Sequence, residues 1–172
     1  MTPTPQQLMD LIDRQMILDQ ITNYARSVDR LDHELGKQVF HPEAKADYGA
    51  MFQGTGWGFI DWCLNAHLGL VSHSHQFSNI SIAITGERAR SETYGDVTVR
   101  RRTEDGGTII MRNLGRYIDE WQKRDGVWRI SDRKYRHDMD YGCRPETADA
   151  FVMSGRRDRQ DASYFPGATG SA

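Results

Sequence analysis

Between Val71 and Asp140 the repeat of apolar side chains is two, sustained through four long runs, 71–84, 87–102, 108–122 and 127–140, with only short turns between them. Gly86 with its neighbours, Glu104-Asp105-Gly106-Gly107 and Arg124-Asp125-Gly126 each supply a residue that tolerates positive φ. Runs that long on links that short specify an antiparallel meander. In the second run Ala89, Ser91, Thr93, Gly95, Val97 and Val99 fall on one face, and Arg88, Arg90, Glu92, Asp96 and Arg100 on the other. One face therefore packs and the other meets water.

Upstream the period is helical. Thr4 can cap a helix, Pro5 suits its first position and Gln7 stands three residues after the cap. Leu8, Leu11, Ile12, Ile17, Leu18, Ile21, Tyr24, Ala25 and Val28 then recur at spacings of three and four, which predicts a helix of roughly six turns. A second amphipathic stretch, Leu31 to Phe40, ends at His41-Pro42 and should fold back on the first as a hairpin. Residues 46–48 and 51–53 flank Gly49 as a small β-hairpin at the rim. Gly56 to Leu70 reads as a third helix, with Phe59, Ile60, Cys63, Leu64, Ala66 and His67 at helical intervals. Helices first and a long sheet afterwards give an α+β domain over residues 1–141, a curved antiparallel sheet covered by three N-terminal helices with a hollow between. Residues 142–172 have no period, and hold Phe151, Val152, Met153, Tyr164 and Phe165 as their sizeable apolar side chains. They read as an irregular tail, disordered or strapped across a subunit boundary.

Composition narrows the function. A chain of 172 residues corresponds to about one domain. Its 22 Lys plus Arg against 24 Asp plus Glu leave a net charge of -2, so it carries no general positive field for a nucleic-acid backbone. No run reaches the roughly 18 consecutive apolar residues of a membrane span, and Met1 to Asp19 lacks the pattern of a secretory signal, which reads as a cytoplasmic protein. Cys63 and Cys143 lie far apart and outside any CxxC pairing, as expected of buried free thiols rather than a disulfide or a zinc-thiolate site.

Two patterns can carry chemistry. Tyr24 and Asp29 are five residues apart, about 140° around an ideal helix, so they share a face only if Asp29 lies just past the helix end. Alone, this spacing favours a core tyrosine and a loop carboxylate over a site. The first long run holds Val71, His73, His75, Phe77 and Asn79 on one face, which directs two imidazoles toward the apolar side. Beyond Asn79 the apolar residues switch parity to Ile80, Ile82 and Ile84, as a β-bulge would require. His-x-His could begin a metal site, but no third ligand follows from local spacing, so a catalytic metal is not expected. Asn113, Gly115 and Tyr117 share a face that could line the hollow. Arg129, Arg133 and His137 alternate on the last run, and such arginines are normally solvated, as is the strand end Arg100-Arg101-Arg102, while Arg156-Arg157-Asp158-Arg159 in the tail is balanced by its acids.

The helix ending Tyr24-Ala-Arg-Ser-Val-Asp29, the strand with His75-x-x-x-Asn79, and the closing Gly115-Arg-Tyr117-Ile-Asp119 and Asp125-Gly-Val-Trp128-Arg-Ile130 resemble the SnoaL-like family of the nuclear-transport-factor-2-like superfamily, over about residues 5–141. The resemblance implies a cone-shaped α+β fold and an Asp29–His75 dyad. Tyr24 matches a tyrosine that one dehydratase of the family places five residues before its aspartate. It further implies a cofactor-independent lyase, of dehydratase type, for a small hydrophobic cyclic substrate such as a steroid or polyketide-like compound. His73, Asn79, Phe77, Trp57, Tyr117 and Asn113 are then the candidate substrate-binding set. A homotrimer is implied, with a homodimer as the alternative. The sequence departs from the family's scytalone-dehydrating member, which uses a second pocket histidine where this chain has its Val97 to Arg100 region, so those substrate contacts do not transfer. A ketosteroid-isomerase-like proton shuttle and a non-catalytic binding module stay open beside the lyase, because the fold by itself proves no activity.

Overall fold

A computed structural model describes residues 2–145 and 155–164. The helix α1, Pro5–Arg30, begins where its capping residues place it: the Gln7 N–H donates to Thr4 Oγ1 at 3.2 Å and the Thr4 N–H donates to Gln7 Oε1 at 2.9 Å. Leu31, left-handed at φ 54°, ends it by donating its N–H to the carbonyls of Ser27 and Val28. The stripe is buried only in its second half, at Ile17, Ile21, Tyr24 and Val28, while Leu8, Leu11 and Ile12 stay exposed.

The second helix is shorter than its periodicity predicts. Helix α2 spans His33–Gln38, capped by Asp32 Oδ1, which accepts from the Leu35 N–H at 3.2 Å. Leu31 belongs to the end of α1, and Phe40 already starts β1, Phe40–Asp47. This strand runs through His41-Pro42, which reads as a stop. Pro42 fits because the ladder to the neighbouring strand is irregular between Phe40 and Lys45, where a missing N–H costs no bond. β2, Gln53–Thr55, closes the rim hairpin around Gly49, and Thr55 caps α3, Gly56–His67, which ends three residues before Leu70.

The four long strands are β3 Ser72–Thr85, β4 Arg88–Arg102, β5 Thr108–Arg124 and β6 Val127–Cys143, paired antiparallel in succession. Among the described residues the sheet has six strands in the order β2-β1-β6-β5-β4-β3. It is not the purely antiparallel meander that the turns imply, because β1 pairs with β6 in parallel. Register shifts break the ladders between Ser78 and Ser81, Leu114 and Gly115, and Glu120 and Trp121. Asn79 stands at the first of these with φ 47°. Such interruptions bend strands and raise twist, which curves the sheet around the helices. Ile17, Ile21 and Val28 of α1 and Phe59, Ile60 and Leu64 of α3 fill the resulting core with Ala89, Trp121, Trp128 and Ile130 of the sheet. Asp13 fastens α1 to the sheet's last hairpin, its Oδ1 accepting from Trp128 Nε1 at 2.9 Å and Lys123 Nζ at 2.7 Å.

Arg133 overturns the reading of a solvated sheet arginine. It is 2% exposed, and both Nε and Nη2 donate to the Asp119 carboxylate at 2.7 Å. Cys143 likewise is exposed rather than buried, whereas Cys63 is buried and its thiol is pushed up to about 12 by desolvation. The tail's Phe151, Val152, Met153 and Phe165 lie outside the described residues. Residues 155–164 return to the same chain, where Tyr164 Oη and Arg159 donate to Asp32 at 2.9 and 3.0 Å.

Removing one partner of a buried pair strands the other charge. Arg133→Met should lower unfolding free energy by about 3–5 kcal/mol. Combining it with Asp119→Leu should recover most of that loss. Urea unfolding of both variants checks the pair, and equal stabilities would contradict it.

Candidate active site

His73 and His75 stand two residues apart on β3, so both side chains project to the helix-covered face. β3 is an edge strand, and the His75 N–H, turned away from β4, has no ladder partner. Asp29 takes up that group. It lies within the last turn of α1, not in a loop beyond it, and its oxygens accept from the His75 N–H at 3.2 and 3.1 Å. Asp29 Oδ1 also lies 2.8 Å from His75 Nδ1. A carboxylate in that position selects the tautomer with the proton on Nδ1 and leaves the lone pair on Nε2. The His75 side chain is 5% exposed and that of Asp29 16%, so the pair is largely removed from water.

His75 opens on a cavity of about 680 Å³ between the sheet and α3. Its walls are aromatic, from Tyr48, Phe59, Trp62, Tyr117 and Tyr135, with Val97, Val99 and Asn113 supplied by β4 and β5. Tyr24 lies on the floor and its hydroxyl meets that of Tyr48 at 3.2 Å. Burial pushes both phenols well above their usual range, so both stay protonated. Two hydroxyls sharing one mutual hydrogen bond keep one proton to donate, and the cavity is where a ligand oxygen could receive it. Under the floor the Arg133 guanidinium carbon sits 4.2 Å from the Tyr24 ring centroid and 4.8 Å from that of Tyr117.

The remaining candidates divide. Asn113 and Tyr117 line the cavity. Phe77 stacks on Tyr24 at 6.0 Å and supports it from behind. His73 is fully buried beside the dyad, with Nε2 bonded to the Val28 carbonyl at 2.8 Å. Asn79 is exposed and serves the bulge. Trp57 is also outside the cavity, exposed and donating Nε1 to the Lys37 carbonyl at 3.0 Å.

Three cavity residues carry weight that local patterns concealed. Tyr48 and Tyr135 gain their places from the parallel β1–β6 pairing, which no local repeat announces. His67 had a signal, its place on the α3 apolar stripe four residues after Cys63. Its ring lies 4.7 Å from that of His73 and 6.1 Å from that of His75. Burial first, then the two neighbouring imidazoles, pull its pKa down to about 4, so it is neutral at pH 7. Among the described residues, no three His, Cys, Asp or Glu side chains are placed to hold a metal ion. Nor is any helix long and apolar enough to cross a membrane.

A curved sheet wrapped by N-terminal helices around an aromatic hollow, with an Asp–His pair at its side, defines an α+β domain of nuclear-transport-factor-2-like architecture. The chain belongs to the SnoaL-like family, whose domain model matches residues 9–134. No curated protein sequence matches it significantly. A nuclear transport factor 2-like superfamily protein from Salmonella enterica is 25% identical, with a TM-score of 0.61 over 82% of this chain and 95% of that one. A Novosphingobium aromaticivorans protein assigned as a scytalone dehydratase is 21% identical, with a TM-score of 0.67 over 84% and 97%. A type 2 hexachlorocyclohexane dehydrochlorinase is 16% identical, with a TM-score of 0.71 over 84% and 97%. Identities under a quarter establish shared fold in the last two.

The buried neutral histidines set a pH dependence. His67 titrates near 4 when folded and near 6.5 when unfolded, and His73 is shifted the same way. Between those values the unfolded chain binds more protons, so stability should fall as pH drops from 6.5 toward 4. His67→Gln should flatten part of that slope in thermal melts across the window. An unchanged slope would contradict the assignment.

Proposed function

We propose that the chain is a cofactor-independent lyase that carries out a dehydratase-type elimination on a hydrophobic cyclic substrate. The observation that carries this reading is the 2.8 Å contact between Asp29 Oδ1 and Nδ1 of a cavity-lining histidine. Membership of the SnoaL-like family and likeness to a dehydrochlorinase and an assigned dehydratase support elimination as the reaction class.

In this reading His75 Nε2 takes a proton from a carbon next to the one bearing the leaving oxygen. The C–H electron pair becomes the new double bond as the C–O bond breaks. The imidazolium returns its proton to the departing hydroxide, which leaves as water, so the histidine is regenerated. Asp29 holds the ring and stabilises its positive charge. The Tyr24–Tyr48 pair donates a hydrogen bond to the substrate oxygen on which negative charge builds. Because burial raises the Tyr24 hydroxyl, the role that suits it is hydrogen-bond donor rather than proton donor. A cavity of about 680 Å³ with aromatic walls matches sites for ring-containing small molecules. We also read the exposed Leu8, Met9, Leu11 and Ile12 as contacts of a homo-oligomer, trimer before dimer. Sedimentation as a monomer would refute that assembly.

Native mass spectrometry with hydroxylated steroids and aromatic polyketides tests the reaction. One compound should lose the mass of water while bound, and His75→Ala and Asp29→Asn should each slow that loss by about 10²–10⁴-fold. Full turnover by His75→Ala would remove it as the base. Binding without mass change would overturn the lyase in favour of an isomerase or a binding module, which chromatography of the released ligand separates.

A further inference from the structure

The C-terminal segment 155–164 docks beside the dyad, outside the matched residues 9–134. Several contacts hold it there. Arg26 donates to the Ser163 carbonyl at 2.7 Å and its guanidinium carbon lies 4.4 Å from the Tyr164 ring centroid, while Arg30 pairs with Asp161 at 3.4 Å. From this anchored stretch Arg157 reaches inward. Its Nη1 donates to the His67 carbonyl at 2.9 Å and its Nη2 to the Leu70 carbonyl at 2.7 Å, just past the end of α3. Nη1 also lies 3.3 Å from His73 Nδ1.

Both bonds to His73 have only one possible direction. The Val28 carbonyl can only accept, so Nε2 carries a proton. A guanidinium can only donate, so Nδ1 carries a lone pair. We propose that Arg157 is a positioning residue that clamps His73 as the Nε2–H tautomer and thereby reserves the Asp29 carboxylate for His75. The proposal rests on the reading of Asp29 and His75 as the working pair.

The reservation matters because His73 Nε2 lies 3.9 Å from Asp29 Oδ1. Were Nδ1 free to take a proton, a second imidazolium would stand beside the same carboxylate. The titratable and charged groups facing His73 are Asp29 from α1, His67 from α3, His75 from its own strand and Arg157 from the tail. Beyond His67 stands Cys63, 3.8 Å from its Nε2 and held protonated by burial. Burial and then the neighbours His75 and Arg157 oppose a charge on His73, while the bond to the Val28 carbonyl and the Asp29 carboxylate favour one. Deleting Arg157 shifts that balance toward protonation.

Long-range ¹H–¹⁵N spectra of the histidine-labelled full chain read the tautomer directly. In the wild type at pH 7, His73 should show a protonated Nε2 and a bare Nδ1; protonation at Nδ1 overturns the proposal without any variant. Arg157→Gln should raise the His73 titration midpoint by about one pH unit, an about tenfold gain in protonated fraction below the midpoint. Arg157→Lys, which keeps a cationic donor, should restore the wild-type spectrum. A folded Arg157→Gln chain with unchanged His73 signals refutes the clamp. Should Arg157→Gln fail to fold, a folded Arg157→Lys chain decides instead, and a mixed His73 tautomer there refutes it. The His75 signals report separately on the dyad. An Nε2–H tautomer at His75 would remove the lyase reading while leaving the His73 clamp intact.

Discussion

The cavity floor depends on a cation that has no access to water. Arg133 and Asp119 are directly paired across β6 and β5, both at or near zero exposure, and their bidentate bond satisfies Nε and Nη2 while the buried Nη1 has no hydrogen-bond partner among the described residues. Three ring faces complete the shell, with the guanidinium carbon 4.2 Å from the centroid of Tyr24, 4.8 Å from Tyr117 and 5.3 Å from Phe40. Those rings come from α1, β5 and β1, so one side chain on β6 ties together elements far apart in sequence. A hydrophobic replacement of both charges could stabilise as well. What it could not do is seat the Tyr24 ring on a positive face, with its hydroxyl turned to Tyr48.

The dyad meets a second constraint, from helix electrostatics. A carboxylate in the last turn of a helix faces the negative end of the helix dipole, where a cation would be favoured. Asp29 is therefore placed against local preference, and tertiary contacts compensate: the edge-strand N–H of His75 and its ring Nδ1 both approach the carboxylate. The edge of the sheet is where this is possible, because an interior strand would have committed that N–H to a neighbour. Position at the edge and position at the helix end are thus one requirement seen from two elements.

This explains what the sequence discloses and what it conceals. The capping box at Thr4, the four strand limits and the bulge at Asn79 are local, and their residues announce them within a few positions. Asp29 and His75 could be paired only through family resemblance, since 46 residues separate them and Tyr24 lies a different way around the helix. Alternation from the buried Trp128 and Ile130 sets Arg133 on the outer face, and it is the register shift opposite Glu120 and Trp121 that turns it inward, while its depth follows from β1 packing beside β6, a parallel pairing with no turn between the two strands. The same pairing places Tyr48 and Tyr135. Asn79 failed as a cavity residue for a related reason: the bulge it forms turns its own side chain out of the alternation used to assign it.

Three histidines, His75 of the dyad with His67 and His73 beside it, face one carboxylate. His67 and His73 are both drawn toward the neutral form, first by burial and then by neighbouring positive groups, His73 and His75 for His67, and His75 and Arg157 for His73. A neutral His67 and His73 contribute dipoles but no charge, so the fixed charges around them are the Asp29 carboxylate and the Arg157 guanidinium, the latter held by two backbone carbonyls and the His73 lone pair. A proton arriving on His75 then meets an opposite charge with no competing imidazolium beside it. Reversing either neutral histidine's state would add a cation on a ring centred 6.1 Å from that of His75, where burial weakens solvent screening. Burying imidazoles around an Asp–His pair therefore costs acid stability and, in the same step, leaves a single ring to carry the charge.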